Sequence, residues 1–442
     1  MPWANELVMQ TNFSRDQMSQ PTISIANNIL RKCVHCGFCT ATCPTYVLLG
    51  DERDSPRGRI YMIKQMLESA KPAPASVVKH IDRCLSCLSC SSTCPSGVDY
   101  MHLIDHARVY VEKTYSRPLG DRLLRMLLAW VLPNPAIFRL SLIAAKLALP
   151  FKKLMPGRLK GIIAMAPDKI SSQSNYDVPQ VFEAIGKKRM RVALMTGCAQ
   201  KVLRPSINEA TVRLLTRHGC EVVVAANASC CGALVHHLGN EAAAIEAARN
   251  NVAAWMVEVE RDGLDAIVIN TSGCGTTLKD YGFMLQGDGV WAKKAAKIAS
   301  LCKDVSEIMS LLGLGDIKVR DQPVIVYHSA CSMQHGQELH DEPKELLKSA
   351  GFDVRDPVEG HLCCGSAGTY NLLQPEISER LKTRKAKNLE AQNADIIATG
   401  NIGCMVQISS ITKVPVIHTV ELLDWVTGGP APDDFIHLIK ST

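Results

Sequence analysis

Cys33, Cys36, Cys39 and Cys43, followed by Pro44, spell C-x2-C-x2-C-x3-C-P, and Cys84, Cys87, Cys90 and Cys94, followed by Pro95, spell it again 51 residues later. The doubled run is the ligand set for two cubane iron-sulfur clusters. Each iron of a [4Fe-4S] core takes one soft, deprotonated ligand. Two residues between thiolates let a tight loop aim three sulfurs at three irons, and the fourth, after a longer step, leaves for the neighbouring cluster, as in two-motif ferredoxins. Cys33, Cys36, Cys39 and Cys94 are therefore expected at one cluster, and Cys84, Cys87, Cys90 and Cys43 at the other. Pro44 and Pro95 break the chain after each crossing ligand. Two all-cysteine zinc sites would use the same eight thiols, but three cysteines at a strict x2 repeat depart from the two-plus-two zinc layout. The reaction class that follows is one-electron transfer.

A chain of 442 residues has room for roughly three domains. Its 18 cysteines are grouped rather than scattered, which points to metal binding in a reducing compartment and away from secreted disulfides. The amino terminus lacks a basic region followed by an apolar core, so no signal peptide is read and a cytoplasmic location is expected. Net charge is only +6 and forms no long basic run, which argues against a nucleic-acid partner. Arg31, Lys32, Arg53, Arg57, Arg59 and Arg83 flank the motifs. Cations there would stabilise a reduced, anionic cluster, although each taken singly reads as a solvated surface charge.

Between Pro118 and Pro156 the stretches LLRMLLAWVLP and IFRLSLIAAKLALPF carry Arg122, Arg125, Arg139, Lys146, Lys152 and Lys153 in and around them. Neither reaches the ~20 apolar residues of a bilayer span, and Pro133, Pro135 and Pro150 cut the region into short helices. Leu, Met and Trp on one face with cations on the other suit a membrane surface or a partner subunit; an internal helical linker packed on the cluster domain is the alternative.

From residue 191 the runs RVALMTG, EVVVAAN, AIVIN, VIVYHS, IIATG and VPVIHT alternate with helical segments, the pattern of parallel sheets covered by helices. This half is duplicated. Cys198 precedes Cys230-Cys231-Gly232 by 32 positions, Cys331 precedes Cys363-Cys364-Gly365 by 32, and Cys274 and Cys404 complete the copies. Several of these cysteines fall at carboxyl ends of strands, where open α/β sheets place ligands. Adjacent thiols can converge only where the backbone turns, which the following glycine permits. The eight are candidate ligands of additional iron-sulfur centres. Cys220 and Cys302 lack counterparts and read as core or surface thiols.

The run CVHCGFCTATCPTYVLLGDERDSPRGRIYMIK, the second motif, CCGALVHHL and HLCCGSAGTY together resemble the iron-sulfur subunits of bacterial glycolate oxidases, from about residue 25 to the carboxyl terminus. Related chains include iron-sulfur subunits of anaerobic glycerol-3-phosphate dehydrogenase, lactate utilisation proteins and heterodisulfide reductases, which share the cysteine-rich CCG domain. The resemblance implies an α+β and α/β multidomain architecture: a tail at 1–21, a helical two-[4Fe-4S] ferredoxin-like domain at 22–115, a helical linker at 116–190, and CCG lobes at 191–320 and 321–442. It implies an electron-transfer subunit whose FAD-dependent partner oxidises glycolate to glyoxylate, with electrons passing to a membrane quinone and the complex peripheral on the inner membrane. An electron-transfer or terminal reductase subunit of a lactate, glycerol-3-phosphate or heterodisulfide system is the alternative. The fullest CCG signature ends in C-x2-C, whereas here Thr277 and Gln407 take the last position, which weakens the case for the non-cubane clusters of heterodisulfide reductases.

No G-x-G-x-x-G follows a strand, GLGDIK at 313–318 ending in Lys, so flavin and nicotinamide are expected on another chain. His35, His236, His237, His328, His335 and His361 lie near cysteines. His328 and His361 are the candidates for hydrogen bonds around a centre or proton delivery to a quinone, against the bland alternative of structural histidines.

Overall fold

The computed structural model describes residues 9–150 and 170–435. Its amino-terminal unit is helical. The first motif loop follows helix Pro21–Arg31 and the second follows Ala75–Asp82, and each closes on a short helix, Phe38–Thr42 or Ser89–Thr93. Helices Pro56–Ser69 and Tyr100–Thr114 complete the unit, whose core joins Ile23, Leu30, Ile63, Leu67, Ile81 and Ile104. Ser55 caps Pro56–Ser69 by accepting from the Gly58 N–H at 3.0 Å, with Pro56 at the first helical position. Gly58 has no substitute here, because a Cβ would stand 2.0 Å from the Glu52 carbonyl.

The expected tail is corrected over its described part. Met9 is buried and donates its N–H to the Cys33 carbonyl, and Gln17 Nε2 donates to the Leu67 carbonyl. Burying one large side chain and satisfying these groups holds the segment down. Residues 1–8 of that tail lie outside the described residues.

Helices Leu119–Val131 and Pro135–Ala148 follow. They bury Leu128, Val131, Phe138 and Leu142, and with them Arg125, paired with Asp82 at 3.1 Å and Asp121 at 3.1 Å, while Leu119 (76%), Leu123, Leu127 and Trp130 (62%) face outward. Among the described residues no helix is long and apolar enough to cross a membrane. Lys152 and Lys153 lie outside the described residues.

Among the described residues nine strands follow: β1 (Gln180–Phe182), β2 (Met190–Met195), β3 (Cys220–Val224), β4 (Ala266–Ile269), β5 (Cys302–Asp304), β6 (Ile325–Tyr327), β7 (Val354–Arg355), β8 (Ile396–Thr399) and β9 (Val416–His418). They form two sheets ordered β1-β3-β2-β4-β5 and β7-β6-β8-β9, parallel except for β1. Without β1 the orders match strand for strand, so the duplication reaches the whole α/β unit. It includes the closing helices, Val305–Leu312 and Thr419–Val426, each begun by a capping box, at Asp304 with Glu307 and at His418 with Glu421. β1 lies inside the stretch expected as linker; three half-exposed residues at a sheet edge carry no periodicity to read. Cys220 and Cys302 are core thiols at the starts of β3 and β5.

The lobes pack on each other through Ser206–Arg217 and Thr419–Val426. Asp424 there receives Arg213 at 2.7 Å and Arg217 at 2.9 Å. Ser272 Oγ, at the start of the helix after β4, meets Ser332 Oγ at 2.7 Å across the same junction.

Candidate iron-sulfur and thiol sites

Both motif loops bend by the same device. Residues two and four places after the first cysteine are left-handed: His35 (φ 52°) and Gly37 (φ 87°) in one loop, Ser86 (φ 50°) and Leu88 (φ 61°) in the other. Alternating the hand of successive residues curls the loop so that consecutive sulfurs face inward. The three residues other than glycine accept a conformation costing roughly 1–2 kcal/mol each. Such strain persists where the surroundings impose it, commonly at a site.

Two cavities result. One is lined by Cys33, Cys36, Cys39 and Cys94, the other by Cys84, Cys87, Cys90 and Cys43, and Cys90 also borders the first. The second therefore takes three thiols from motif two and one from motif one, and the first takes three from motif one with Cys94, and Cys90 at its border, from motif two. Among the described residues, no three of these eight sulfurs converge within 4.8 Å. Four soft donors standing around a volume, not meeting at a point, fit a group that offers each sulfur its own iron. Burial pushes the Cys33 thiol up against the opposing His35 N–H, pushes Cys39 up to about 11, and raises Cys87 and Cys90 well above the usual thiol range. Thiols of this kind lose their protons to solvent when a cation binds the sulfur.

The second cavity has a buried polar wall. Arg59, 1% exposed, directs Nη1 to Cys43 Sγ at 3.9 Å, Nη2 to Thr45 Oγ1 at 3.0 Å and Asp54 Oδ1 at 3.2 Å, and Nε to the His80 carbonyl at 2.7 Å. Asp54 also meets His80 Nδ1 and Arg83 Nη1, both at 2.8 Å. The solvated-charge reading is thus corrected for Arg59: it stands on the apolar stripe of its helix with Ile63 and Met66, and Asp54 compensates it. At the first cavity the rim is open instead, with Cys36, Phe38 and Val34 exposed.

In the first CCG lobe Cys230 and Cys198 sulfurs lie 3.5 Å apart; in the second, Cys331 and Cys363 lie 3.8 Å apart and Cys364 and Cys404 3.4 Å apart. Cys231 and Cys274 form the remaining contact of the first lobe. Gly232 (φ 85°) and Gly365 (φ 86°) make the turns that bring each adjacent pair to one site. Thr277 Oγ1 donates to its own helix, and Gln407 bonds Asn371 and Ser378, so neither replaces a ligand.

The two lobes sit differently on the motifs. The second packs directly on motif two: Cys87, Leu85, Cys363 and Tyr370 share one apolar cluster bordered by Cys331, Tyr370 Oη donates to the Arg83 carbonyl at 3.0 Å, and His335 Nδ1 meets Ser92 Oγ at 2.7 Å. His328 is buried beside Cys364 and Cys404, whereas His361 is half-buried and its imidazole is pushed down by burial. In the other lobe, His237 is lowered to about 4 by burial, and His236 stacks beside it. His35 lies edge-on to Tyr61.

The first lobe docks instead through His102, whose ring bonds Asp99 at 2.5 Å and Asp280 at 2.8 Å and stacks on Phe283. Burial opposes the imidazolium, but Asp280 and Asp99 overcome it and raise the group from 6.5 to about 10. A raised folded value means that this stabilisation is complete below about 6.5 and is lost as pH climbs through about 10. The expected result is that His102→Gln lowers stability most near pH 6, with the gap from wild type closing toward pH 10 in parallel denaturation curves; a gap that does not change with pH would refute the charged bridge.

Two four-cysteine cavities joined to a duplicated thiol-bearing α/β half define an iron-sulfur protein with a dicluster ferredoxin-type unit. A 4Fe-4S dicluster domain family matches residues 29–98, and a cysteine-rich domain family, CCG, matches residues 192–279 and 325–409. The chain is 40% identical to the glycolate oxidase iron-sulfur subunit of Escherichia coli over 94% of its length and 98% of the relative's. It is 32% identical to a probable glycolate oxidase iron-sulfur subunit of Bacillus subtilis, over 89% and 93% of the two chains. Lactate utilization protein A of Geobacillus sp. aligns at 28% identity over 53% of this chain and 99% of that one. The chain belongs to the glycolate oxidase iron-sulfur subunit family. A crystal structure of a hypothetical protein from Helicobacter pylori shares the fold at a TM-score of 0.51 and 10% identity, covering 94% of this chain and 74% of that one.

Proposed function

We propose that the chain is the electron-carrying subunit of a glycolate-oxidising complex, taking single electrons from a flavoprotein partner and passing them toward a quinone. Two [4Fe-4S] clusters would occupy the cavities, held by Cys33, Cys36, Cys39 and Cys94 and by Cys84, Cys87, Cys90 and Cys43, and would carry electrons one at a time between a flavin reduced by two electrons and a distant acceptor. The observation that carries this reading is the graded burial of the two cavities. The first opens at an apolar rim, Val34 and Phe38, suited to a docked donor; the second is walled in and abuts the second CCG lobe. Electrons would enter at the first and leave beyond the second. Flavin and substrate chemistry belong to the partner, and the chain alone should not turn over glycolate.

The outward stripe of Leu119, Leu123, Leu127 and Trp130 supports peripheral seating on the inner membrane. Replacing Leu123, Leu127 and Trp130 by Glu is expected to move the complex from the membrane fraction to the soluble one, and unchanged partitioning would remove this face as the anchor. The functional reading itself is tested by anaerobic affinity purification of the full chain. A co-purifying flavoprotein that oxidises glycolate is expected; recovery of a glycerol-3-phosphate or lactate enzyme would overturn the assignment.

A further inference from the structure

We infer that Arg108 is the positioning residue of the second cluster: it holds the motif-two loop in its left-handed bend and ties that loop to the seat of the first CCG lobe, so that the second centre senses how the lobe is seated. This rests on the reading that a cluster occupies the second cavity.

The second loop needs an outside hold more than the first does. Each loop bends at two left-handed residues, but the first has glycine at one of them, Gly37, whereas the second has Ser86 and Leu88. Residues with a Cβ keep that conformation only where their surroundings impose it. Ser86 lines the second cavity between Cys84 and Cys87. A loop that relaxed at Ser86 would swing the two flanking thiols out of place.

Arg108 supplies the hold. It is buried on helix Tyr100–Thr114 and donates Nη2 to the Cys84 carbonyl at 2.7 Å and Nη1 to Ser86 Oγ at 2.6 Å. Two bonds from one rigid guanidinium fix the first cysteine and the left-handed serine relative to each other. Asp105, on the same helix, faces the guanidinium at 3.6 Å and balances its charge. In the first loop the matching carbonyl, that of Cys33, instead takes the Met9 backbone N–H at 3.3 Å.

The backbone of Arg108 carries the first lobe. Helix Ala233–His237 starts from the CCG turn at Gly232 and leads to Gly239. A Cβ on Gly239 would stand 2.8 Å from the Arg108 carbonyl oxygen and 3.1 Å from its carbonyl carbon, so only glycine lets the lobe lie this close. His237 adjoins Asp105 and Arg108 in the same seam. One short helix, one glycine contact and one side chain thus join the CCG turn to the loop of the second cluster.

The test uses the full chain, reconstituted anaerobically and read by iron count, the low-temperature spectrum of the reduced protein and redox titration, with Cys36→Ser assigning the signals by removing the first centre. Arg108→Gln is expected to lower iron from about eight toward about four per chain. Adding Ser86→Gly should restore much of that loss, because glycine holds the left-handed bend without a clamp. Gly239→Ala should keep the iron but shift the spectrum and potential of the second centre alone. Gly263→Ala, in the same lobe and also left-handed (φ 77°) but with open space around it, should shift neither centre. A wild-type second centre in Arg108→Gln, a loss that Ser86→Gly does not repair, or Gly239→Ala matching Gly263→Ala would each overturn the role. Gly239→Ala leaves Arg108 in place and decides the matter where Arg108→Gln fails to fold. An unaltered chain that takes up no iron would instead sink the cluster reading, and this inference with it.

Discussion

Cys36→Ser combined with Cys94→Ser is expected to remove the same four irons as either change alone, leaving about four of eight per chain, whereas Cys36→Ser with Cys43→Ser should remove nearly all. The reason is the crossed lining of the two cavities: Cys94, from the second motif, stands with Cys33, Cys36 and Cys39, and Cys43 stands with Cys84, Cys87 and Cys90. Two losses at one site do not add, while losses at separate sites do. Serine keeps the volume and removes the soft thiolate. Iron and acid-labile sulfide counts, with the low-temperature spectrum of the reduced protein, read the result. The opposite pattern, with the Cys36 and Cys94 pair emptying both sites, would establish that each motif serves its own cluster.

What can be read from the amino-acid sequence follows the range of the interactions. The motif cysteines are set by spacing over a dozen residues, and their loops depend on local backbone hand at His35, Gly37, Ser86 and Leu88. Six strands announce themselves as β-branched runs. β1, β5 and β7 do not: they are two or three residues long, and Gln, Lys, Asp and Arg interrupt them. Their place comes from the strand alongside, not from their own pattern.

Buried charges are less legible. Arg59 and Lys385 look like solvated residues by type, yet each falls on its helix's apolar stripe, Lys385 four and eight places after Leu381 and Ile377. That helical spacing is a signal carried by the residue order itself. Their partners are not marked in this way, since Asp54 arrives from another element and the thiols facing Lys385 come from three separate segments. The pairing of the second lobe with motif two is likewise remote: His335 meets Ser92 across 243 residues. No local pattern specifies which lobe adjoins which cavity.

Arg59 is where stability and redox tuning meet, and Arg59→Met should disturb both. Asp54 is fully buried and its Oδ1 faces Arg59 at 3.2 Å. Removing one partner of a buried pair costs about 3–5 kcal/mol because it leaves the other charge uncompensated. Arg83, 24% exposed, and His80 still touch Asp54, which places the expected loss toward the lower end. The same guanidinium stands 3.9 Å from Cys43 Sγ. Cys43 would hold an iron of the second cluster, and a cation several ångström from an added electron interacts with it by roughly 3 kcal/mol at an effective dielectric near 20. For a one-electron couple this is on the order of 100 mV. Loss of the cation disfavours the reduced state, so the potential of the centre beside Cys43 should fall while the other stays. Arg59→Lys keeps the charge but not the fork that reaches His80, Thr45 and Asp54 together, so it should retain most of the potential and lose part of the stability. Denaturant unfolding and spectroscopic redox titration of both variants separate the two effects. An Arg59→Met protein with unchanged stability and potential would mean that Arg83 alone suffices to neutralise Asp54 and that the buried guanidinium does not reach the cluster's field.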